Sequence, residues 1–196
     1  MKAVILNSGG FDSVTMVHLL NDMETGREFV NLFFDHDQNA VNKERECSRK
    51  CAAKFDMPWK QVRLPKFYWT QGNFYDTDAP LNPQGEVLEW RNLVFLSYAF
   101  SYAQAIGAEE IYVAMYRMFD GDGYDDSSMQ FIETMNCITG DIQICVPFSG
   151  MNKFGIVQLA RSYGISRADF SSCDHPLDED FCGGCEKCRF FLKQGF

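Results

Sequence analysis

The sequence predicts an α/β protein, a parallel sheet with helices on both faces, and three observations lead there. Apolar runs of strand length alternate five times with longer helical stretches, the pattern of successive strand–helix units. The first apolar run passes through a glycine turn straight into a helix. At 196 residues, 46% hydrophobic and 23% charged, the chain suits one domain, with room for a sizeable core and a small appendage.

In chain order, residues 2–6 read as a buried strand, and residues 13–23 as a helix with Val14, Val17 and Leu20 near helical spacing. A second apolar strand over 29–34 ends at Asp35-His36-Asp37-Gln38. A charged helix over 40–55 leads through Pro58 to a short strand at 60–64. Residues 65–86, rich in Pro, Gly, Asn and Asp, read as a loop too long for an idle connection, suited to fold over a ligand. A helix over 92–106, a strand over 110–115, a helix over 128–137, a strand over 142–146 and a helix over 153–163 complete the alternation. Ligands of such sheets bind at the carboxyl ends of the strands. Loop 7–13, segment 35–38 and loop 116–127 all leave from those ends. No internal repeat or low-complexity segment interrupts the pattern.

Ser8-Gly9-Gly10-Phe11-Asp12-Ser13 carries the chemistry. Glycines let successive backbone amides turn toward one point, and the helix N-terminus adds partial positive charge, so the turn suits a phosphate. Ser8 and Ser13 can add hydroxyl donors, and Asp12 either holds a metal ion at the phosphates or caps the helix. No Lys follows the glycines, which excludes the Gly-x-x-x-x-Gly-Lys-Ser/Thr loop.

A second signature lies at the other end, where Cys173 is followed by Cys182-Gly183-Gly184-Cys185-Glu186-Lys187-Cys188. Thiolates two residues apart around glycine can face one ion, a third follows at the same interval, and Cys173 closes the tetrahedron that structural zinc prefers. His175 follows Cys173 too closely to serve beside it. A closed four-thiolate site leaves no position for water, so its predicted role is structural. This divides the chain into a nucleotide-binding domain over 1–165 and a cysteine segment over 166–196 packed on it. Cys47 and Cys51 share a helix face without an evident partner pair and read as buried thiols; Cys137 and Cys145, in apolar contexts, read as core.

Eight Cys without a secretion signal, and no stretch of membrane-span length, read as a cytoplasmic protein with reduced thiols. A net charge of −9 argues against a nucleic-acid or anionic-membrane surface. The 18 Phe have no reading beyond core filling.

The loop 8–13 resembles the SGGxDS loop of the PP-loop ATP pyrophosphatases, which cleave ATP between its α and β phosphates to adenylate a substrate. With the cysteine cluster, the chain resembles the 7-cyano-7-deazaguanine synthase family within that class. Arg91-Asn92-Leu93 resembles its Arg-Asn helix start, and Asp120-Gly121-Asp122-Gly123-Tyr124 with Asp126 its Asp-x-x-Gly-Tyr-Pro-Asp loop. Pro147-Phe148 with Lys153 resembles its Pro-Leu…Lys segment, and Asp35 and Gln38 its second strand end. The resemblance implies an ATP-dependent carbon–nitrogen ligase that adenylates 7-carboxy-7-deazaguanine, lets ammonia displace AMP, and dehydrates the amide to a nitrile. It implies ATP contacts from Ser8, Gly9, Gly10, Phe11, Asp12, Ser13, Phe34 and Asn92, and catalytic roles for Asp12, Arg91 and Lys153. Asp120, Tyr124 and Asp126 would bind the purine-like base, if they are more than a polar Gly- and Asp-rich turn. Zn2+ on Cys173, Cys182, Cys185 and Cys188, Mg2+ with ATP, and a homodimer complete the expectation.

Two departures bear on the substrate. Tyr124-Asp125-Asp126-Ser127-Ser128 stands where the family has Tyr-Pro-Asp-Cys-Arg, losing a rigid Pro and a cation. His36-Asp37-Gln38-Asn39-Ala40 replaces Tyr-Gly-Gln-Arg-His, losing basic residues again. A relative that stops at the amide or adenylates another acid would keep both signatures. A silent nucleotide-binding module would be expected to have damaged the loop, and RNA thiolation fits the acidic charge poorly.

Overall fold

The computed structural model describes residues 1–23, 26–66, 88, 90–116, 125–176 and 181–196. The five strands are β1 (Lys2–Leu6), β2 (Glu28–Asp35), β3 (Trp59–Arg63), β4 (Ala108–Tyr112) and β5 (Gln143–Cys145). They form one sheet in the order β3-β2-β1-β4-β5, every pair parallel. The helices are α1 (Phe11–Asp22), α2 (Val41–Lys54), α3 (Arg91–Ile106), α4 (Met129–Thr139), α5 (Lys153–Ser162) and α6 (Glu186–Lys193).

β1 shows why both faces are covered. Its side chains alternate, so Ala3 and Ile5 enter one core while Val4 enters the other. On the first face lie Val14, Val17 and Leu20 of α1, Cys51 of α2, and Ile156, Val157 and Ala160 of α5. On the second lie Leu96, Ala99 and Ala103 of α3 with Ile132 and Met135 of α4. The edge strands are short, and β3 is largely polar, which blunts edge-to-edge pairing. The chain runs outward from β1 through β2 to β3 and then returns to β4 on the other side of β1. In open parallel sheets ligands bind beside such a reversal, at the carboxyl ends of the strands, and the glycine loop leaves β1 at that end.

The predicted alternation matches the structure within two or three residues at each boundary, and three features differ. α6 was not anticipated: it is only eight residues long and starts inside the cysteine cluster, with Cys185 Sγ accepting from Cys188 N at its N-cap. Cys137 is exposed rather than core, because α4 turns Ile132 and Met135 inward and residue 137 lies about 140° round the helix from Ile132. Cys145 is half-buried against the first core. Cys47 and Cys51 are buried free thiols as expected, and burial pushes them up to about 11 and about 12. The long loop over 65–86 lies almost wholly outside the described residues. Among those residues, no helix is long and apolar enough to cross a membrane.

Candidate active site

The glycine loop rests on a buried polar network. Asn7, fully buried, donates to Asn31 Oδ1 at 2.9 Å and accepts from Gly9 N at 3.0 Å. Ser48 Oγ donates to Asn7 O at 2.7 Å and accepts from Trp59 Nε1 at 2.8 Å. Every polar group in this network has its partner, so it rigidifies the loop instead of costing stability. Gly9 stands at φ +74°, and a Cβ there would meet Glu44 O at 2.0 Å, so this position admits only glycine. Gly10 is extended, at φ −75° and ψ 163°, so of the two glycines only Gly9 uses positive φ.

The loop opens α1 with no side-chain cap at Gly10, and the amides of the first turn have no intrahelical acceptor. Within the loop, Ser8 Oγ accepts from Gly10 N at 3.2 Å, lies 3.0 Å from Ser13 Oγ, and Ser13 Oγ donates to Gly10 O at 3.0 Å. The Phe11 ring is buried, packing on Phe170 and Phe191 with centroids 4.9 and 4.7 Å away, so only its backbone belongs to the loop surface. Asp12 does not cap the helix. Its two carboxylate oxygens accept from Lys153 Nζ at 2.6 and 2.7 Å. That ammonium also lies about 5 Å from the rings of Phe11 and Tyr116, held by both carboxylate and aromatic faces. Two residues separated by about 140 positions thus meet at the loop because α5 packs on α1 in the first core.

A second group gathers where β2 ends and α3 begins. Phe34 stacks on Phe95 at 4.6 Å and 2°, the Arg91 guanidinium lies 5.8 Å over the Phe95 ring, and His36 tilts against Phe95 at 5.6 Å. Burial, then the nearby Arg91 charge, push His36 down to about 4, so its imidazole is neutral at pH 7. Asn92 N donates to Asp126 Oδ2 at 2.9 Å and Asn92 Nδ2 to Asp126 O at 3.1 Å, so buried Asp126 caps α3. Asp120 and Tyr124 lie outside the described residues. Ser128, at one of the departures from the family loop, caps α4 by accepting from Phe131 N at 3.1 Å.

Glu44 joins the two groups. Its backbone carbonyl packs on Gly9, and its carboxylate accepts from Gln38 Nε2 at 2.6 Å. Burial pushes this carboxyl up, opposed by the Gln38 hydrogen bond and the Lys187 and Arg91 charges. Gln38 in turn accepts from His36 N at 3.0 Å. Sequence reasoning named Gln38 and His36 at the β2 end, gave Asn7 and Phe95 no role of their own, and missed Ser48 and Glu44. Glu44 and Asn7 carried a signal only as polar residues beside a predicted strand end and helix.

The Sγ atoms of Cys173, Cys182, Cys185 and Cys188 all lie within 4.8 Å of one another, and the set could hold a metal ion. Tetrahedral thiolate coordination places sulfurs about 3.8 Å apart, so the cluster fits with small adjustment. Backbone amides already point at sulfur: Cys182 N at Cys173, Cys185 N at Cys182 and Cys188 N at Cys185, at 3.3–3.4 Å. Gly183, at φ +68°, makes the tight turn this needs. His175, at the competing position, is not one of the four.

The sheet, its switch point and the loop define the PP-loop ATPase class. Two solved structures share the fold at 14% identity: NMN synthetase from Francisella tularensis (TM-score 0.58, 98% of this chain, 73% of that one) and the U34-tRNA thiolase NcsA from Methanococcus maripaludis with its [4Fe-4S] cluster (TM-score 0.57, 93% and 62%). Within that class, residues 2–196 match the family described as Queuosine biosynthesis protein QueC. Two curated relatives are named 7-cyano-7-deazaguanine synthase. One, from a Nitratiruptor species, is 30% identical over 98% of this chain and 93% of its own length. The other, from Campylobacter fetus subsp. fetus, is 33% identical over 98% and 91%. The chain belongs to the QueC family of ATP-dependent ligases.

Proposed function

We propose that the chain converts 7-carboxy-7-deazaguanine and ammonia to 7-cyano-7-deazaguanine, consuming ATP. The match to QueC over residues 2–196 carries this reading. A carboxylate oxygen of the substrate attacks the α phosphorus, the bond to the β-phosphate oxygen breaks, and pyrophosphate leaves an acyl adenylate. Ammonia adds to the acyl carbon, AMP departs, and a proton is lost to give the amide. The amide oxygen is then adenylated by a second ATP, and loss of AMP with the remaining N–H proton forms the nitrile.

In this reading the amides of Asp12 and Ser13 at the N-terminus of α1 hold the pyrophosphate portion, with Ser8 and Ser13 shaping the loop. Lys153 moves from Asp12 toward the phosphates and, with Arg91, offsets charge as pyrophosphate leaves. A Mg2+ ion entering with ATP fits one released carboxylate, Asp12, and would shield phosphate charge. Phe34 and Asn92 border the nucleotide, and the base-binding role the family resemblance implies falls to Asp120 and Tyr124, which lie outside the described residues, and to Asp126 through the capacity its helix cap leaves. Zn2+ is the metal that the four-thiolate set suits, holding the segment 166–196 on the body 1–165. In a homodimer, exposed Trp90 and Tyr98 at α3, 50% and 47% accessible, would be covered.

The test is incubation of metal-loaded protein with 7-carboxy-7-deazaguanine, ATP, Mg2+ and ammonium, read by mass spectrometry. Nitrile with AMP is the expected product. Amide alone would favour the shorter reaction, which the Ser127-Ser128 departure brings into view. ATP binding without either product would overturn the substrate assignment.

A further inference from the structure

Three serine hydroxyls border the phosphate loop, and each has one proton to donate. Ser13 gives its proton to Gly10 O at 3.0 Å. The Ser8–Ser13 contact at 3.0 Å must then use the Ser8 proton. The third hydroxyl belongs to Ser172, which comes from the cysteine segment. Its oxygen accepts from Phe11 N at 3.2 Å, and its own proton has no acceptor among the described residues.

Ser172 is held in that position from both sides. Ser171 N donates to Gly9 O at 2.8 Å, and Phe170 packs its ring on Phe11, Phe191 and Phe196. Cys173, the next residue, is the first thiol of the cluster. Phe11 N is the first amide of α1 and points, with those of Asp12 and Ser13, out of the helix N-terminus. A hydroxyl accepting from that amide stands beside any anion bound over the others, with its proton directed away from the amide.

We propose that Ser172 is a further phosphate-binding residue, donating its hydroxyl to the pyrophosphate portion of ATP while accepting from Phe11 N. This rests on the ATP reading above. The cysteine segment then supplies a ligand of the nucleotide site as well as a clamp on the chain, and phosphate affinity depends on the metal through Cys173.

The experiment is calorimetric titration of metal-loaded full-length protein with inorganic pyrophosphate and with Mg2+–ATP. Ser172→Ala should weaken both by about tenfold to a hundredfold, the size of a charge-assisted hydrogen bond, with metal content and melting temperature unchanged. Ser172→Thr should restore affinity to within a few-fold, and Ser171→Ala should bind like wild type. Wild-type affinity in Ser172→Ala overturns the proposal. So does a loss that travels with metal loss, or one that Thr does not repair, because either marks a structural role. If wild type itself binds neither pyrophosphate nor ATP, the phosphate-loop reading falls and takes this one with it.

Discussion

Gly9 and Cys185 are both buried within neighbouring parts of the molecule, and the chain around each is secured in opposite ways. Gly9 is backed by the Asn7–Asn31–Ser48–Trp59 network and by the carbonyl of Glu44, so the loop holds its shape through protein contacts alone. Cys185 sits among three other thiols whose nearest partners are amides and one another. The Cys173–Cys185 hydrogen bond pushes Cys173 up and draws Cys185 toward thiolate. The first region is organised by packing and hydrogen bonds. The second holds four thiols that could take a metal ion, and a cation replacing their protons would complete its organisation. In the function proposed above, a phosphate loop gains from being built before its substrate arrives, whereas a clamp can be conditional on a metal.

The largest expected effect breaks the second region. Cys185→Ala should lose the metal and about 4 kcal/mol or more of stability, read together by metal analysis and urea unfolding. Wild-type metal content would remove Cys185 from the site. Gly9→Ala should break the first region, costing about 2–4 kcal/mol, because the new Cβ meets a backbone carbonyl at positive φ. Its metal content should stay at the wild-type level, which separates the two regions. Lys153→Met should lower ATP turnover about a hundredfold to a thousandfold, roughly 3–4 kcal/mol in the barrier, with the fold intact. Unchanged turnover would make the Asp12 pair purely structural.

The smallest effect is a pH dependence away from both regions. His18, buried against Phe55 and Tyr163, is pushed down to about 4 by burial and then by Lys54. Between pH 4 and 6.5 the unfolded chain therefore binds a proton that the folded one refuses. The stability contributed by neutral His18 is present above about 6.5 and is lost as pH falls toward 4, by up to about 3 kcal/mol. His18→Gln should flatten that part of the stability–pH curve, and an unchanged slope would assign it elsewhere. The same sign holds for His36, whose imidazole is also pushed down to about 4.

Local pattern carried much of this protein. Strand and helix order, the loop 8–13 and the four cysteines are each written in short stretches whose chemistry is self-contained: apolar period, glycine beside hydroxyls, thiols at fixed spacing. The errors were local patterns overruled by environment. Cys137 lies in an apolar stretch yet faces outward, and α6 is too short to show helical periodicity.

The sequence by itself determined an α/β chain with a glycine turn suited to phosphate at one end and a set of thiols that could hold a metal at the other, because residues a few positions apart suffice for each. Tertiary structure decided what meets what. Strand order placed the reversal beside β1, packing of α5 on α1 set Lys153 on Asp12, and the aromatic cluster of Phe11, Phe170, Phe191 and Phe196 carried Ser172 to the loop. Ser172 is separated from Phe11 by 161 residues. No local period links residues so far apart. Their contact exists only because burying apolar surface on both faces of one sheet leaves the chain few ways to close.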